Sequence, residues 1–137
     1  MDKCEVTTLL KRNKLKKTEQ RELLLQIIIN SETLFSAEIL YEKVNKNINL
    51  VTIYRILNLF IKKNIIREVL VHNKTQYYEL ACEHHPVHPH FLCKKCGKLY
   101  CLRSVDKVEF SNLINLYKEY LIENISLHLS GICPECR

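Results

Sequence analysis

Cysteine and histidine, which bind transition metals readily, are concentrated in one part of this sequence. Four of the seven cysteines and four of the six histidines lie within residues 82–101. One Cys-x-x-Cys pair in this stretch, Cys93 and Cys96, is followed after 36 intervening residues by a second pair, Cys133 and Cys136. Two such pairs are the usual way of presenting four thiolates to a tetrahedral zinc ion. The spacing therefore predicts one structural zinc ion per subunit.

Two disulfides are the alternative interpretation of the same pairs, and they require an oxidising compartment. Seven is an odd number of cysteines, so a full disulfide framework would leave one over. Residues 1–10 have no apolar core of signal-peptide length. No run of the roughly 18 apolar residues that a membrane span needs occurs in the sequence. We therefore expect a soluble, cytoplasmic protein with reduced thiols.

Charge is distributed unevenly along the chain. Residues 1–80 contain 14 lysines and arginines against 9 acidic residues, whereas residues 81–137 contain 7 against 6. Six basic residues and one acidic residue fall between Lys11 and Arg21. A basic first half favours a polyanionic partner, although a solvated helix face would have a similar composition.

Polar caps and apolar spacing predict three helices in the first half. A short basic helix or arm over Thr7 to Leu15 precedes them. The three helices begin after the N-caps Thr18, Ser36 and Asn49, and the first of them should end near Asn30.

The helix after Asn49 has the clearest pattern in the chain. Its apolar residues have the i, i+3, i+4, i+7 spacing of a wide core stripe, and they are Ile53, Ile56, Leu57, Phe60 and Ile61. The opposite face carries Thr52, Arg55, Asn58 and Lys62, with Tyr54 on the flank. One face is thus predicted to be buried and the other free for a polar partner.

Two runs rich in isoleucine, valine and tyrosine follow this helix, over Ile65 to Val71 and Thr75 to Leu80. The intervening His72-Asn73-Lys74 predicts a β-hairpin with a short turn. Three helices and a hairpin make a winged helix-turn-helix, whose last helix enters the major groove of DNA. A helical bundle with solubilising charges is the alternative, and the basic cluster favours DNA.

The second half is predicted to be α+β. Phe91-Leu92 and Leu99-Tyr100 flank the first Cys-x-x-Cys as strand ends, with a turn at Gly97, and Ser126 to Ser130 alternates as a strand. Ser104 should cap a helix with one apolar side, formed by Phe110, Leu113, Ile114, Tyr117, Tyr120 and Leu121. So small a core needs both a zinc ion and a partner subunit to be stable.

Two longer motifs bear on which family of proteins the chain resembles. Residues 51–57 read V-T-I-Y-R-I-L, and residues 88–98 read H-P-H-F-L-C-K-K-C-G-K. They resemble the T-V-Y-R-x-L and H-x-H-x-x-C-x-x-C-G-K signatures of the ferric uptake regulator family, and the resemblance spans essentially the whole chain. It implies a dimeric, metal-dependent transcriptional repressor. Residues 1–81 would be its winged-helix DNA-binding domain and residues 82–137 its metal-binding dimerisation domain.

The resemblance also implies which residues bind DNA. Tyr54 and Arg55 would contact the major groove and Lys16 the minor groove, with Thr52 on the same polar face. The partner would be a double-stranded operator with two-fold symmetry, matching a homodimer. No nucleophile–base pair or phosphate-binding loop is evident, so we expect no enzymatic activity, no small-molecule substrate and no membrane.

Departures from the family pattern bear on the sensed metal. Iron and peroxide sensors of the family have a histidine just before the S-A-E segment, where this chain has Thr33-Leu34-Phe35. A second family site would use Val87, Pro89 and Ile125, whose side chains cannot bind metal. The remaining candidates resemble the sensor site of zinc-sensing members, and they are Glu68, Cys82, His88 and His90.

Donor chemistry agrees with zinc, because a thiolate and two imidazoles suit it, whereas iron(II) and manganese(II) sensors favour nitrogen and oxygen ligands. We expect a second, regulatory zinc ion that fixes the dimer in its DNA-binding shape. His72 and Cys101 compete with Glu68 for the fourth ligand position, and Cys82 could instead be a buried apolar thiol. Structural roles are expected for Cys4 and His128, and solvated loop positions for His84 and His85, with ligands of a variant metal site as the alternative for these two histidines.

Three other functions remain open. The protein could be an iron-, manganese- or peroxide-responsive member of the same family. It could be a thiol redox switch acting through Cys82 or Cys101. It could also be a zinc-containing adaptor that binds protein. Observing DNA binding that weakens as the salt concentration rises would exclude this adaptor role.

Overall fold

The helices and strands belong to two separate units in a computed structural model, which describes residues 5–31, 33–81, 88–105, 107–122 and 125–137. The first unit is Met1–His85 and the second is Pro86–Arg137. The predicted boundary between residues 81 and 82 stays a prediction, because residues 82–87 lie outside the described ranges.

The described part of the first unit contains four helices and a hairpin. They are α1 (Val6–Arg12), α2 (Glu19–Asn30), α3 (Ala37–Lys43), α4 (Leu50–Lys62), β1 (Ile66–His72) and β2 (Thr75–Leu80). This order is the predicted one, and the winged helix-turn-helix fold is confirmed.

Side-chain caps fix where three of these helices begin. The Thr18 hydroxyl accepts a hydrogen bond from the backbone N–H of Arg21 at 3.2 Å, at the start of α2. Ser36 caps α3 in the same way, and Asn49 Oδ1 accepts from Val51 at 2.8 Å at the start of α4. Each cap satisfies a backbone donor that the helix itself leaves unpaired. All three predicted N-caps are confirmed.

The core of the first unit forms around α4. Ile53, Leu57 and Phe60 are each 0 % exposed, while Ile61 is only partly buried. Leu24, Leu25 and Ile28 of α2 belong to the same hydrophobic cluster. Burying this stripe leaves the polar face of α4 directed outward.

The hairpin is antiparallel, with Cα partners running from Ile66 and Leu80 to His72 and Thr75. Its turn is two residues long, since His72 belongs to β1, and both turn residues are left-handed, with φ of 51° at Asn73 and 63° at Lys74. Two such residues match the twist of the flanking strands. The predicted hairpin with a short turn is confirmed, and β1 ends one residue later than predicted, at His72.

A short bridge ties the hairpin to the segment before α3. Phe35 and Tyr78 exchange two backbone hydrogen bonds, of 3.1 and 2.8 Å, and their rings stack with centroids 5.9 Å apart. Phe35 is 1 % exposed. The start of α3 is therefore held firmly against β2.

The second unit contains a small mixed sheet and one helix among its described residues. The elements are β3 (His90–Cys93), β4 (Leu99–Cys101), α5 (Lys107–Leu116) and β5 (His128–Gly131). In the strand order β4-β3-β5, β3 pairs antiparallel with β4 and parallel with β5. The α+β class predicted from the sequence is confirmed.

The helix of this unit is shorter than predicted. It begins at Lys107, so Ser104 is not its cap, and it ends at Leu116. Tyr117 and Tyr120 follow in tight turns, each donating its backbone N–H to the carbonyl three residues earlier. Three-residue hydrogen bonds replace the helical four-residue spacing there, so the predicted apolar side continues beyond the helix.

Large apolar side chains of the second unit are exposed in the single chain. Leu116 is 71 % exposed and Leu121 is 90 % exposed. Exposed apolar residues that follow one another along the chain in this way are more typical of an interaction surface than scattered single ones are. None of the described helices is both long and apolar enough to cross a membrane.

Candidate metal centres and DNA-binding surface

The four cysteines of the two Cys-x-x-Cys pairs come together in the second unit. The sulfur atoms of Cys93, Cys96, Cys133 and Cys136 all lie within 4.8 Å of one another. The Cys96 and Cys133 sulfurs, one from each pair, are 3.9 Å apart. Four thiols converging in this way are the donor set of a tetrahedral site for zinc or another thiophilic metal.

Strand pairing explains how residues so far apart in sequence meet. Cys93 ends β3, and the chain turns through Gly97, whose φ is 75°. Gly131, the last residue of β5, is the Cα partner of Cys93. Cys133 follows two residues later and is buried, and its backbone carbonyl accepts from the N–H of Cys136 at 3.0 Å. The parallel β3–β5 pair thus brings the second Cys-x-x-Cys to the first.

Hydrogen bonds polarise the sulfur cluster. The backbone N–H groups of Cys96 and Cys133 each donate to the Cys93 sulfur at 3.4 Å, and the Cys96 bond is the main reason that the pKa of Cys93 is lowered to about 6. The pKa of Cys136 is raised, chiefly by its hydrogen bond with Cys133. Some of these thiols thus favour the thiolate and others retain the proton. A bound cation deprotonates its thiol ligands outright.

Tyr100 contributes to this environment from β4. Its buried hydroxyl makes no hydrogen bond of standard geometry among the described residues. An interaction of this hydroxyl with the nearby Cys133 thiol is nevertheless the largest cause of the lowered pKa of that thiol and of the raised pKa of Tyr100. A metal-bound thiolate is a strong acceptor, so this hydroxyl is well suited to support one.

A second group of metal-binding side chains lies in the same unit. Ligand atoms of His88, His90 and Cys101 lie within 4.8 Å of one another. His90 opens β3 and is the Cα partner of Cys101 on β4, and the two histidine rings are 4.6 Å apart. His90 is 4 % exposed, whereas Cys101 is exposed. Two imidazoles and one thiol therefore form a partial metal site.

The structure does not test the other residues predicted for the sensor. Cys82 lies outside the described residues, as do Cys4, His84 and His85. Glu68 is an exposed residue of β1 in the first unit, and its Cα partner there is Tyr78. Their roles stay predictions.

Two further histidines are described. His72 ends β1 of the first unit, where Asn73 Nδ2 lies 3.3 Å from its Nε2. His128 is the Cα partner of His90 on β5, and the ring centroids of the two are 6.5 Å apart. His128 is thus near the histidine pair without joining the close group of ligand atoms.

The candidate DNA-binding surface is the polar face of α4. Arg55 and Tyr54 are exposed on it, and Thr52 is partly exposed. A cavity of about 240 Å³ lies between the start of α2 and this face. The residues lining it are Thr18, Gln20, Arg21, Thr52, Arg55, Ile56 and Leu59. Two guanidinium groups and the positive end of α2 make this concave surface attractive to an anion.

Lys16 lies just before α2. Its side chain is exposed, and its backbone carbonyl accepts a 2.8 Å hydrogen bond from Arg21 Nη1. The neighbouring Lys17 pairs with Glu22 at 3.3 Å. The basic segment is therefore anchored to the first turn of α2 while Lys16 remains available to a partner.

One residue of this surface was missed from the sequence. Glu38 Oε1 accepts a 2.8 Å hydrogen bond from the Tyr54 hydroxyl. This bond is the main cause of the rise in the pKa of Tyr54 to about 12. The sequence gives no sign of this contact, because a pairing across 16 residues leaves no periodic signal.

A winged helix-turn-helix, followed by a small sheet that carries a four-cysteine cluster, defines a class of metal-binding, DNA-binding proteins. A family model described as the ferric uptake regulator family matches residues 12–130. The chain belongs to this family, whose members are metal-responsive transcriptional regulators that bind DNA and act as dimers.

Individual relatives agree with that assignment. A ferric uptake regulation protein of Campylobacter upsaliensis is 31 % identical, over 93 % of this chain and 84 % of its own. A Helicobacter pylori ferric uptake regulator structure superposes with a TM-score of 0.73 at 29 % identity, covering 99 % of this chain and 97 % of that one. A peroxide-responsive repressor of Staphylococcus aureus is 24 % identical, over 88 % of this chain and 81 % of its own. These names differ in the signal sensed, so the zinc-sensing subtype stays a prediction.

Proposed function

We propose that this protein is a dimeric, metal-dependent transcriptional repressor that senses zinc and controls zinc uptake genes. It binds a structural zinc ion at the four-cysteine cluster and a regulatory zinc ion near His88 and His90. Occupancy of the regulatory site fixes the dimer in its DNA-binding shape. In this role the protein catalyses no reaction, uses no small-molecule substrate and acts in the cytoplasm, where its DNA is.

The structural role of the four-cysteine cluster rests on its surroundings. Cys93 and Cys133 are 0 % exposed. The turns that carry the four thiols directly follow the ends of the paired strands β3 and β5. Metal binding at such a site is part of the folding free energy. Among the described residues of the second unit, no leucine, isoleucine, valine, phenylalanine or tyrosine side chain is buried, so the metal is a principal source of its stability.

The identity of the regulatory metal is argued from one observation, the proximity of the Cys101 thiol to two imidazoles. Sulfur and nitrogen donors suit zinc, whereas iron(II) and manganese(II) sites in this family favour nitrogen and oxygen. The structural relative from Helicobacter pylori is described as having three functional metal binding sites. More than one metal site therefore has a parallel in a homologue. Cys82 remains the predicted additional thiolate of this site.

Iron or peroxide sensing is the second candidate, because the relatives are named for those signals. A metal titration separates the two. Purified full-length protein, loaded anaerobically with zinc or iron(II), would be mixed with duplexes selected from a random-sequence library. Zinc at buffered free concentrations should restore sequence-selective binding with two zinc ions per subunit. Binding that is restored only by iron(II), or that is abolished by peroxide, would favour the second candidate.

Variants of the two thiols test the proposed sensor directly. Cys82→Ser and Cys101→Ser should each retain one zinc ion, the dimer and the fold, since neither residue belongs to a Cys-x-x-Cys pair. Each should lose metal-dependent DNA binding, because a hydroxyl is a harder and weaker zinc ligand than a thiolate. A Cys101→Ser protein that binds two zinc ions and DNA normally would remove Cys101 from the site.

The proposed dimer and operator follow from the exposed surfaces. Apolar residues at the end of α5 and after it would be covered by a partner subunit, among them Leu116 and Leu121. A two-fold dimer presents two α4 helices, which matches an operator of two symmetric half-sites. Dimer content measured by sedimentation and half-site symmetry in the selected duplexes test both expectations.

A further inference from the structure

The Tyr54 hydroxyl, which lies on the polar face of α4, is already engaged within the protein. It donates a 2.8 Å hydrogen bond to Glu38 Oε1, although Tyr54 is 39 % exposed and Glu38 is exposed. Exposed side chains normally sample several rotamers. A bond between two neighbouring helices restricts both of them.

The backbone that carries Glu38 is well fixed. Glu38 lies in the first turn of α3, whose start is capped by Ser36 and held by the Phe35–Tyr78 bridge. Ser36 and Ala37, the residues just before it, are 2 % and 0 % exposed. The carboxylate therefore projects from an element whose backbone is fixed within the first unit.

This hydrogen bond decides which groups of DNA the tyrosine can meet. A phenol can donate one hydrogen bond, and Tyr54 donates it to Glu38. The Tyr54 oxygen therefore has only its lone pairs left to offer to a ligand. Phosphate oxygens are acceptors and cannot use those lone pairs, and the Glu38 carboxylate repels their charge. The amino groups of adenine and cytosine in the major groove are donors and can use them.

We propose that Glu38 positions the Tyr54 hydroxyl as an acceptor for a base amino group, so that Tyr54 reads sequence and not phosphate. The inference rests on the proposed function, because it takes α4 as the helix that enters the major groove. Glu38 is a positioning residue here, acting through Tyr54 and without touching DNA.

The test compares affinity for two DNA probes, a duplex selected by the wild-type protein with zinc and a scrambled duplex of equal composition. Glu38→Ala should lower the ratio of the two affinities by roughly threefold to tenfold per subunit, the effect of losing one net hydrogen bond. Glu38→Gln keeps an acceptor oxygen and should keep the ratio within about twofold of wild type. Both variants should bind scrambled DNA more tightly, because each loses a negative charge.

Two further variants separate position from charge. Glu42→Ala removes the same charge one turn along α3, where Glu42 pairs with Lys46 at 3.9 Å, and should leave the ratio unchanged. Tyr54→Phe should lower the ratio as Glu38→Ala does, and combining the two should give little further loss, because both remove one interaction.

Several outcomes would overturn the inference. It fails if Glu38→Ala keeps the wild-type ratio, or if Glu38→Gln loses as much as Glu38→Ala. A wild-type protein that selects no DNA sequence would refute the proposed function itself. Selection that is lost in Arg55→Ala but unaffected in Glu38→Ala would refute the role of Glu38 alone.

Discussion

Replacing Arg55 by alanine should abolish selective DNA binding without unfolding the protein. Arg55 is exposed, and it lies opposite the buried stripe of Ile53, Leu57 and Phe60. Arginine and alanine are both good helix formers, so the unfolding free energy should change by less than about 0.5 kcal/mol. A loss of DNA binding by the Arg55→Ala protein would therefore not be caused by unfolding.

The effect on binding follows from the geometry of a base contact. A bidentate arginine contact contributes about 1–3 kcal/mol of discrimination between bases. A dimer carries two copies of Arg55, so the total loss should be about 2–6 kcal/mol, which is roughly 30-fold or more in affinity ratio. Fluorescence anisotropy with selected and scrambled duplexes, across a series of salt concentrations, measures this ratio.

Lys62→Ala is the matched control. Lys62 lies two turns further along the same face of α4, and its replacement by alanine removes the same charge as Arg55→Ala does. It should weaken binding to both duplexes equally, by the salt-dependent loss typical of a phosphate contact. An Arg55→Ala protein that folds, dimerises and retains the wild-type affinity ratio would show that α4 does not read DNA through this residue.

Three other changes should have specific effects. Cys93→Ser should lose the structural zinc and lower the melting temperature and the dimer content together, as measured by metal analysis, calorimetry and sedimentation. Tyr100→Phe should raise the pKa of Cys133, because the hydroxyl now lowers it. A depressed pKa favours the thiolate above that pKa and loses its effect as pH falls, so zinc should be released from Tyr100→Phe at a higher pH than from wild type. Thr18→Ala removes the α2 cap and should cost about 0.5–2 kcal/mol of unfolding free energy in urea.

Each of these changes has an outcome that contradicts it. A Cys93→Ser dimer with full zinc content and an unchanged melting temperature would remove the four-cysteine assignment. An identical pH of zinc release in Tyr100→Phe and in the control Tyr77→Phe, which alters a tyrosine of the first unit, would show that the Tyr100 hydroxyl does not support Cys133. Unchanged stability in Thr18→Ala would mean that water replaces the cap at no cost.

Local chemistry made much of the first unit predictable. Thr18, Ser36 and Asn49 cap their helices as the sequence indicated, because capping involves only residues two or three positions apart. The apolar stripe of α4 was predictable for a similar reason, since the fixed pitch of a helix places residues with this spacing on one face. The errors fall where short-range signals compete. Ser104 resembles a cap, but α5 begins at Lys107.

The sequence by itself determined that this protein is a winged-helix, metal-binding regulator of the ferric uptake regulator family, because motifs and periodicity depend only on residues that are close together in the sequence. Only the tertiary structure decided which distant side chains meet. The β3–β4 register places Cys101 beside the histidine pair, and the packing of α3 near α4 brings Glu38 to Tyr54. Such contacts depend on strand register and helix packing, which are set by the whole core and which no single segment encodes.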